Sequence, residues 1–227
     1  MKYTEERDWL VNFGLFVLAA ICFVLVPVII SLALFFIKGN ILSLISNFAY
    51  IALVSWLYYK DLMREAKTYK ENFKKCFRTG LKYYIAGLLA MVFFNILISF
   101  IIKGTSANEN AVRDMLYSSP IFTMISISII APLSEELLFR KSIGTLTKNK
   151  WVFALISGLL FGGAHLLAGE ITLSSLLFLL PYGSLGFVFA LMDYETKTTC
   201  TSIVMHSIHN TLTGILLLIT YFSGVMG

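Results

Sequence analysis

The chain has 227 residues, 58% of them hydrophobic and 14% charged, with a mean hydropathy of +0.81 and a net charge of +5. Ordinary soluble domains carry about 45–50% apolar residues, so one soluble core is excluded and a polytopic helical membrane protein is implied. The positive charge comes with no aromatic-basic stripe and no glycine-rich phosphate loop; it fits basic loops on a cytoplasmic face, and nucleic acid is not an expected partner.

Seven apolar segments follow one another at about 9–37, 41–59, 83–102, 121–144, 151–168, 171–192 and 199–222. Most reach the roughly 20 residues that cross about 30 Å of hydrocarbon. The fold class is therefore all-α: a transmembrane helix bundle of seven spans, with eight as the alternative count. All of 1–227 reads as a single membrane domain, with N-terminal spans and a basic loop in 1–118 and a helical core that carries the chemistry in 119–222.

The first segment is overlong and contains Pro27, which predicts tilt or a kink. Cys22 follows two alanines and an isoleucine, but the apolar run continues past it, so an uncleaved first span is expected rather than a signal peptide. In the basic stretch near 60–82, Leu62, Ala66, Tyr69, Phe73, Cys76 and Phe77 recur at helical spacing, while Lys67, Lys70, Lys74, Lys75 and Arg78 fall mostly elsewhere. This predicts a basic amphipathic helix on the inner leaflet, against the alternative of a solvated charged hairpin. The connection at 103–120 is polar, with room for a short interfacial turn. With the N-terminus cytoplasmic, 15 of the 18 basic residues fall inside, leaving only Lys38, Lys103 and Arg113 outside; the positive-inside rule therefore sets the orientation in a cell membrane, with a bacterial plasma membrane expected. The three cysteines, Cys22, Cys76 and Cys200, are scattered and imply neither a disulfide frame nor a sulfur-ligated metal.

Charge recurs where lipid makes it costly, and such groups mark function by default. In the fourth segment Glu136 and Arg140 stand one helical turn apart and can pair on one face. Glu135 is rotated by about 100° from Glu136, which leaves it without that partner and free for chemistry. Pro132 just upstream removes a backbone donor and loosens the helix there. The fifth segment places Phe161 one turn from His165, with Gly162, Gly163 and Ala164 between them allowing close approach of a neighbour. The seventh places His206 and Asn210 on one face, with His209 offset from it. Ser134 and Ser207 lie beside these positions, but no Lys or Asp partner supports a serine nucleophile.

The run EExxxR, FxxxH and HxxxN, in that order and each on its own apolar segment, resembles the CPBP family of intramembrane proteases. That family includes eukaryotic CaaX-prenyl endopeptidases and bacterial Abi relatives linked to bacteriocin self-immunity. The resemblance covers roughly 118–222. It implies that Glu135 is the catalytic glutamate with Glu136 as its neighbour, that His165 helps hold the attacking water, and that His206 and Asn210 stabilise the oxyanion. Elementary chemistry agrees: peptide hydrolysis needs a base for water and donors aimed at the developing oxyanion. Arg140 and Phe161 are expected to support the site, and His209 to hydrogen-bond within the bundle.

The cofactor expectation is zinc or none. Glu135, His165 and His206 could complete an open zinc site with water as the fourth ligand, but HExxH is absent and the three lie on different segments, which favours a metal-free mechanism. The expected partners are a peptide or membrane-protein substrate and the lipid bilayer, and the cavity is expected to open towards the cytoplasm. Two other functions compete with proteolysis. One is a non-proteolytic regulator of a sensor kinase or export system; the other is an ion-coupled transporter, for which no duplicated half is visible. One tension stands: on straight helices Glu135 and His206 sit roughly 11–14 Å from the inner ends of their segments, but His165 about 21 Å from Lys150.

Overall fold

A computed structural model describes residues 7–37 and 39–223. Lys2 and Lys38, which entered the charge count above, lie outside these residues. Among the described residues the longer elements, in chain order, are α1 (Trp9–Ala33), α2 (Asn40–Leu57), α3 (Tyr59–Glu71), α4 (Phe73–Ser99), α5 (Ala107–Ser118), α6 (Pro120–Ser142), α7 (Lys150–Leu166), α8 (Leu179–Thr196) and α9 (Cys200–Phe222). All are helical, as the periodicity predicts. Six of them, α1, α2, α4, α6, α8 and α9, are long and apolar enough to cross a membrane, α8 together with the short turn at Ser175–Phe178. The remaining apolar segment forms α7, whose 17 residues match the lower limit of about 17 for a span. The chain is a multi-pass helical membrane protein. Leu10, Val24, Ile29 and Leu32 on α1 are exposed, as lipid-facing side chains are when a helix bonds its own backbone. The helix runs through Pro27 without interruption.

The basic stretch resolves differently from a single helix over 60–82. α3 stops at Glu71, Asn72 leaves the helical region (φ −117°, ψ 25°), and Phe73 opens α4. Residues 73–82 are thus the opening turns of the third span. The side of α3 turned into the bundle carries Asp61 and Glu65, both buried, while Ala66 is exposed. Their partners explain this. Arg7 and Arg64 pair with Asp61, and Lys141 of α6 lies 2.5 Å from Glu65 and 3.5 Å from Asp61. Glu65 also accepts from the Thr199 N–H at 2.8 Å.

The polar connection at 103–120 holds a 12-residue helix, α5, rather than a short turn. Its start is a capping sequence: Ser106 Oγ accepts from the Glu109 N–H at 3.1 Å, satisfying a donor that the first turn leaves orphaned.

α6 is not a uniform α-helix. Two wide, π-type turns, Ser126–Ile130 and Leu137–Ser142, flank the segment Ala131–Glu136. Pro132 accounts for the first. In the wide register Ala131 N–H reaches Ser126 O, so Ile127 O would be next in line for the N–H that proline lacks. Asn210 of α9 supplies the missing donor, its Nδ2 lying 2.8 Å from Ile127 O. At the second wide turn Ser157 of α7 donates to Phe139 O at 2.7 Å.

α7 and α8 pack backbone to backbone. A Cβ on Gly158 would sit 2.8 Å from Gly183 O, and one on Gly162 would sit 2.9 Å from Gly183 N. Only glycine permits that approach. Gly163 faces open space, with nothing within 4 Å of its notional Cβ, so the close contact expected of the Gly162–Ala164 run belongs to Gly162. A tight turn at Lys197 (φ 61°) leads from α8 into α9. There Asp193 accepts from both the N–H and the Oγ of Ser202, at 3.0 and 2.7 Å. These contacts fix α6, α7, α8 and α9 around one interior volume.

Candidate active site

That volume is a cavity of about 280 Å³, and Glu135, Phe161, His165, His206, His209 and Asn210 all line it. The three sequence motifs therefore converge on one space, although they stand on three different helices.

The two adjacent carboxylates have separate surroundings, as their rotation about the helix predicts. Glu136 is fully buried, with Oε2 2.9 Å from Arg140 Nε. The Arg140 guanidinium lies over the rings of Phe161 (4.4 Å) and Phe189 (5.3 Å), a cation–π sandwich that compensates for its burial. The ion pair expected from the spacing is present, but Glu136 does more than neutralise Arg140. Its Oε1 lies 2.7 Å from His206 Nδ1. A carboxylate there takes the Nδ1–H, fixes the ring and directs Nε2 into the cavity.

Glu135 is the wetter carboxylate, its side chain 21% exposed. Among the described residues its Oε2 has no hydrogen-bond partner, and His206 Nε2 faces it at 3.9 Å. That gap exceeds a direct hydrogen bond, and it lets one water bond to both groups.

His165 is held from two sides. Its Nδ1 lies 2.8 Å from Phe161 O, so that nitrogen donates and Nε2 is free to accept. The ring stacks on Tyr182 with centroids 4.5 Å apart and packs against Phe161 at 4.4 Å. Phe161 in turn touches His206, 5.7 Å between centroids. The depth mismatch is absorbed by Phe161, one turn nearer the Lys150 end of α7: it reaches Arg140 and His206, while His165 occupies the next level of the same cavity. His209 lies 3.4 Å from Tyr84 OH through Nδ1, a contact within the bundle as expected. Ser134 Oγ donates to Ala131 O and is turned away from a nucleophile's role.

Several members of this arrangement are absent from the motif reading. Tyr182 hydrogen-bonds Ser106 Oγ at 2.6 Å and so ties His165 to the first turn of α5. Nothing in the sequence separates Tyr182 from the other ten tyrosines. Asp193, which holds Ser202 one turn before His206, is another such member; as an acid at the edge of an apolar run it carries a signal that Tyr182 lacks. Away from Glu135 the cavity is lined by Asn95, Asn108, Glu109, Gly214 and Leu217, the α5 end of the bundle and the opposite end from α3.

Glu135, His165 and His206 were the candidate zinc ligands. Among the described residues no three His, Cys, Asp or Glu side chains are grouped to hold a metal ion. Both histidines spend Nδ1 on protein acceptors and keep Nε2 towards the cavity, an arrangement that a metal-ligating histidine also adopts. The three cysteines are free.

Residues 117–212 match the family described as type II CAAX prenyl endopeptidase Rce1-like, the stretch that carries the three motifs. The chain is 37% identical over 109 residues to YdiL of Bacillus subtilis, whose name describes a membrane peptidase; the match covers 47% of this chain and 41% of that protein. It is 33% identical over 147 residues to the UPF0177 protein YxdF of Lactococcus lactis subsp. lactis, covering 60% of this chain and 79% of that relative. The chain thus spans about two fifths of the length of the first relative and most of the second. No solved structure matches it. With its motifs inside the matched stretch and most of the Lactococcus relative covered, the chain belongs to the CPBP family, the family of the Rce1-like membrane proteins.

Proposed function

We propose that the chain is an intramembrane endopeptidase that hydrolyses a peptide bond in a membrane-associated peptide or protein. The observation that carries this reading is Glu135 facing His206 Nε2 at 3.9 Å inside the cavity, with Glu136 holding the histidine from behind.

Glu135 acts as the general base. A water bound between its carboxylate and His206 gives up a proton to Glu135 as its oxygen attacks the scissile carbonyl. His165, with Nδ1 committed to Phe161 O, accepts from the same water through Nε2 and orients it. Negative charge develops on the carbonyl oxygen, where His206 donates from Nε2 with both ring nitrogens carrying hydrogen and its Nδ1–H kept on Glu136, joined by the second Nδ2 hydrogen of Asn210. The proton on Glu135 then passes to the departing amine as the C–N bond breaks, which restores the carboxylate. Glu136 and Arg140 touch no substrate; they position His206. In this reading a bacteriocin, a leader peptide or a signalling peptide is a fitting substrate, in processing or in self-immunity.

Glu135→Gln tests the proposal. A glutamine keeps the size of the side chain and removes the base, so cleavage should fall by about 10²–10⁴-fold, the share that a positioned base contributes, with expression and thermal unfolding unchanged. Undiminished cleavage by this variant would refute the mechanism.

A further inference from the structure

The cavity has a closed end and an open end, and charge marks which side of the membrane each faces. At the closed end, beneath Glu136 and His206, the bundle is sealed by polar side chains in mutual contact. Asp61, Glu65, Lys141, Asp193, Thr199 and Ser202 are all within 1% of complete burial. Glu65 joins α3 to Lys141 and to the Thr199 N–H, and Asp193 joins α8 to Ser202. No residue of α3 and none from the 143–150 connection lines the cavity. In the other direction the lining climbs from Glu135 and His206 past Asn210 and Gly214 to Asn95 and the first turn of α5. There the Glu109 side chain is 41% exposed.

The closed end is also the basic end. α3 and the start of α4 carry Lys60, Arg64, Lys67, Lys70, Lys74, Lys75, Arg78 and Lys82; at the same end Lys148 and Lys197 lie in connections and Lys150 opens α7. At the α5 end the basic residues among those described are Lys103 and Arg113, set against Glu109, Asp114 and Glu170. Lysine and arginine near helix ends are retained on the cytoplasmic side. We propose that the site is served from the non-cytoplasmic side: its substrate is a peptide, or a segment of a membrane protein, that reaches the cavity from outside the membrane or from the outer leaflet, past the N-terminus of α5. This rests on the proteolytic reading for the word substrate. The direction of access rests only on the cavity and the charge.

Cysteine labelling in cells decides the matter. In a chain whose three native cysteines are replaced by serine, Asn110→Cys on α5, Lys70→Cys on α3 and Thr213→Cys within the cavity are each treated with a membrane-impermeant thiol reagent. If the cysteine-free chain does not fold, the native cysteines stay and labelling is read above that of the parent. Asn110→Cys should label on intact cells and Lys70→Cys only after permeabilisation. Thr213→Cys should react from outside about tenfold faster than Leu216→Cys on the lipid-facing side of α9, because only a wetted thiol ionises to the reactive thiolate. Labelling of Asn110→Cys only after permeabilisation, or of Thr213→Cys only from the cytoplasmic side or no faster than Leu216→Cys, overturns the proposal. The labelling needs no catalysis, so it succeeds or fails independently of the Glu135→Gln assay.

Discussion

At the scale of single residues, the sharpest contrast is between neighbours in the chain. Glu135 and Glu136 share a backbone environment, yet one faces a wet cavity and the other is enclosed between Arg140 and His206. Glu136→Gln should therefore behave unlike Glu135→Gln. It leaves a buried guanidinium without its counter-charge, a loss of roughly 3–5 kcal/mol, and it weakens the hold on His206. We expect a lower unfolding temperature in detergent together with lost cleavage; equal unfolding temperatures for the two variants would contradict the division of roles. The helical rotation between adjacent residues made this split legible in the sequence. The bond from Glu136 to His206 was not, because it joins residues 70 apart and no local spacing encodes it. Asn210 carries a similar lesson: HxxxN marked it as an oxyanion donor, and the structure adds that it also supplies Ile127 O with the hydrogen bond that Pro132 withholds.

At the scale of elements, apolar runs gave the spans, and the residues that interrupt them gave the irregularities. Pro132 foretold a loosened helix, and the wide turn at Ser126–Ile130 is its physical form. The end of α3 was harder to see, since Asn72 sits in a helical periodicity that continues on both sides. The acidic inner face of α3 contradicts a simple apolar-in pattern and becomes intelligible only with Lys141 and Arg7 beside it. The α7–α8 contact offers a matched pair of tests. Gly162→Ala places a methyl group 2.9 Å from the Gly183 backbone, must push α8 away and should disturb Tyr182 on His165. We expect lower stability and cleavage reduced by about tenfold, as a misplacement of 1 Å in a site can cost up to about 10²-fold. Gly163→Ala meets open space and should match the parent in cleavage while gaining up to about 1 kcal/mol of stability from helix propensity. Identical behaviour of the two would mean that helix contact does not set the site.

At the scale of the whole molecule, the chain is a bundle plugged at its basic end and hollow at the other. Lys141 is the centre of the plug, between Asp61 and Glu65. Lys141→Ala leaves two buried carboxylates short of a cation, at a loss of roughly 3–5 kcal/mol. It should free α3, which limited proteolysis or hydrogen exchange of residues 59–71 would register as faster than in the parent. Unchanged protection of α3 would show that apolar packing alone holds it. The sequence announced the basic face and the charged groups within apolar runs; which end was hollow followed only from how the helices pair. At the hollow end one phenol, Tyr182, bears both the ring against which His165 rests and the hydroxyl that fastens α5. Displacing α5 must break that fastening, and the same displacement then acts on the ring that backs His165. The mouth of the chamber and the histidine are thus moored by a single side chain.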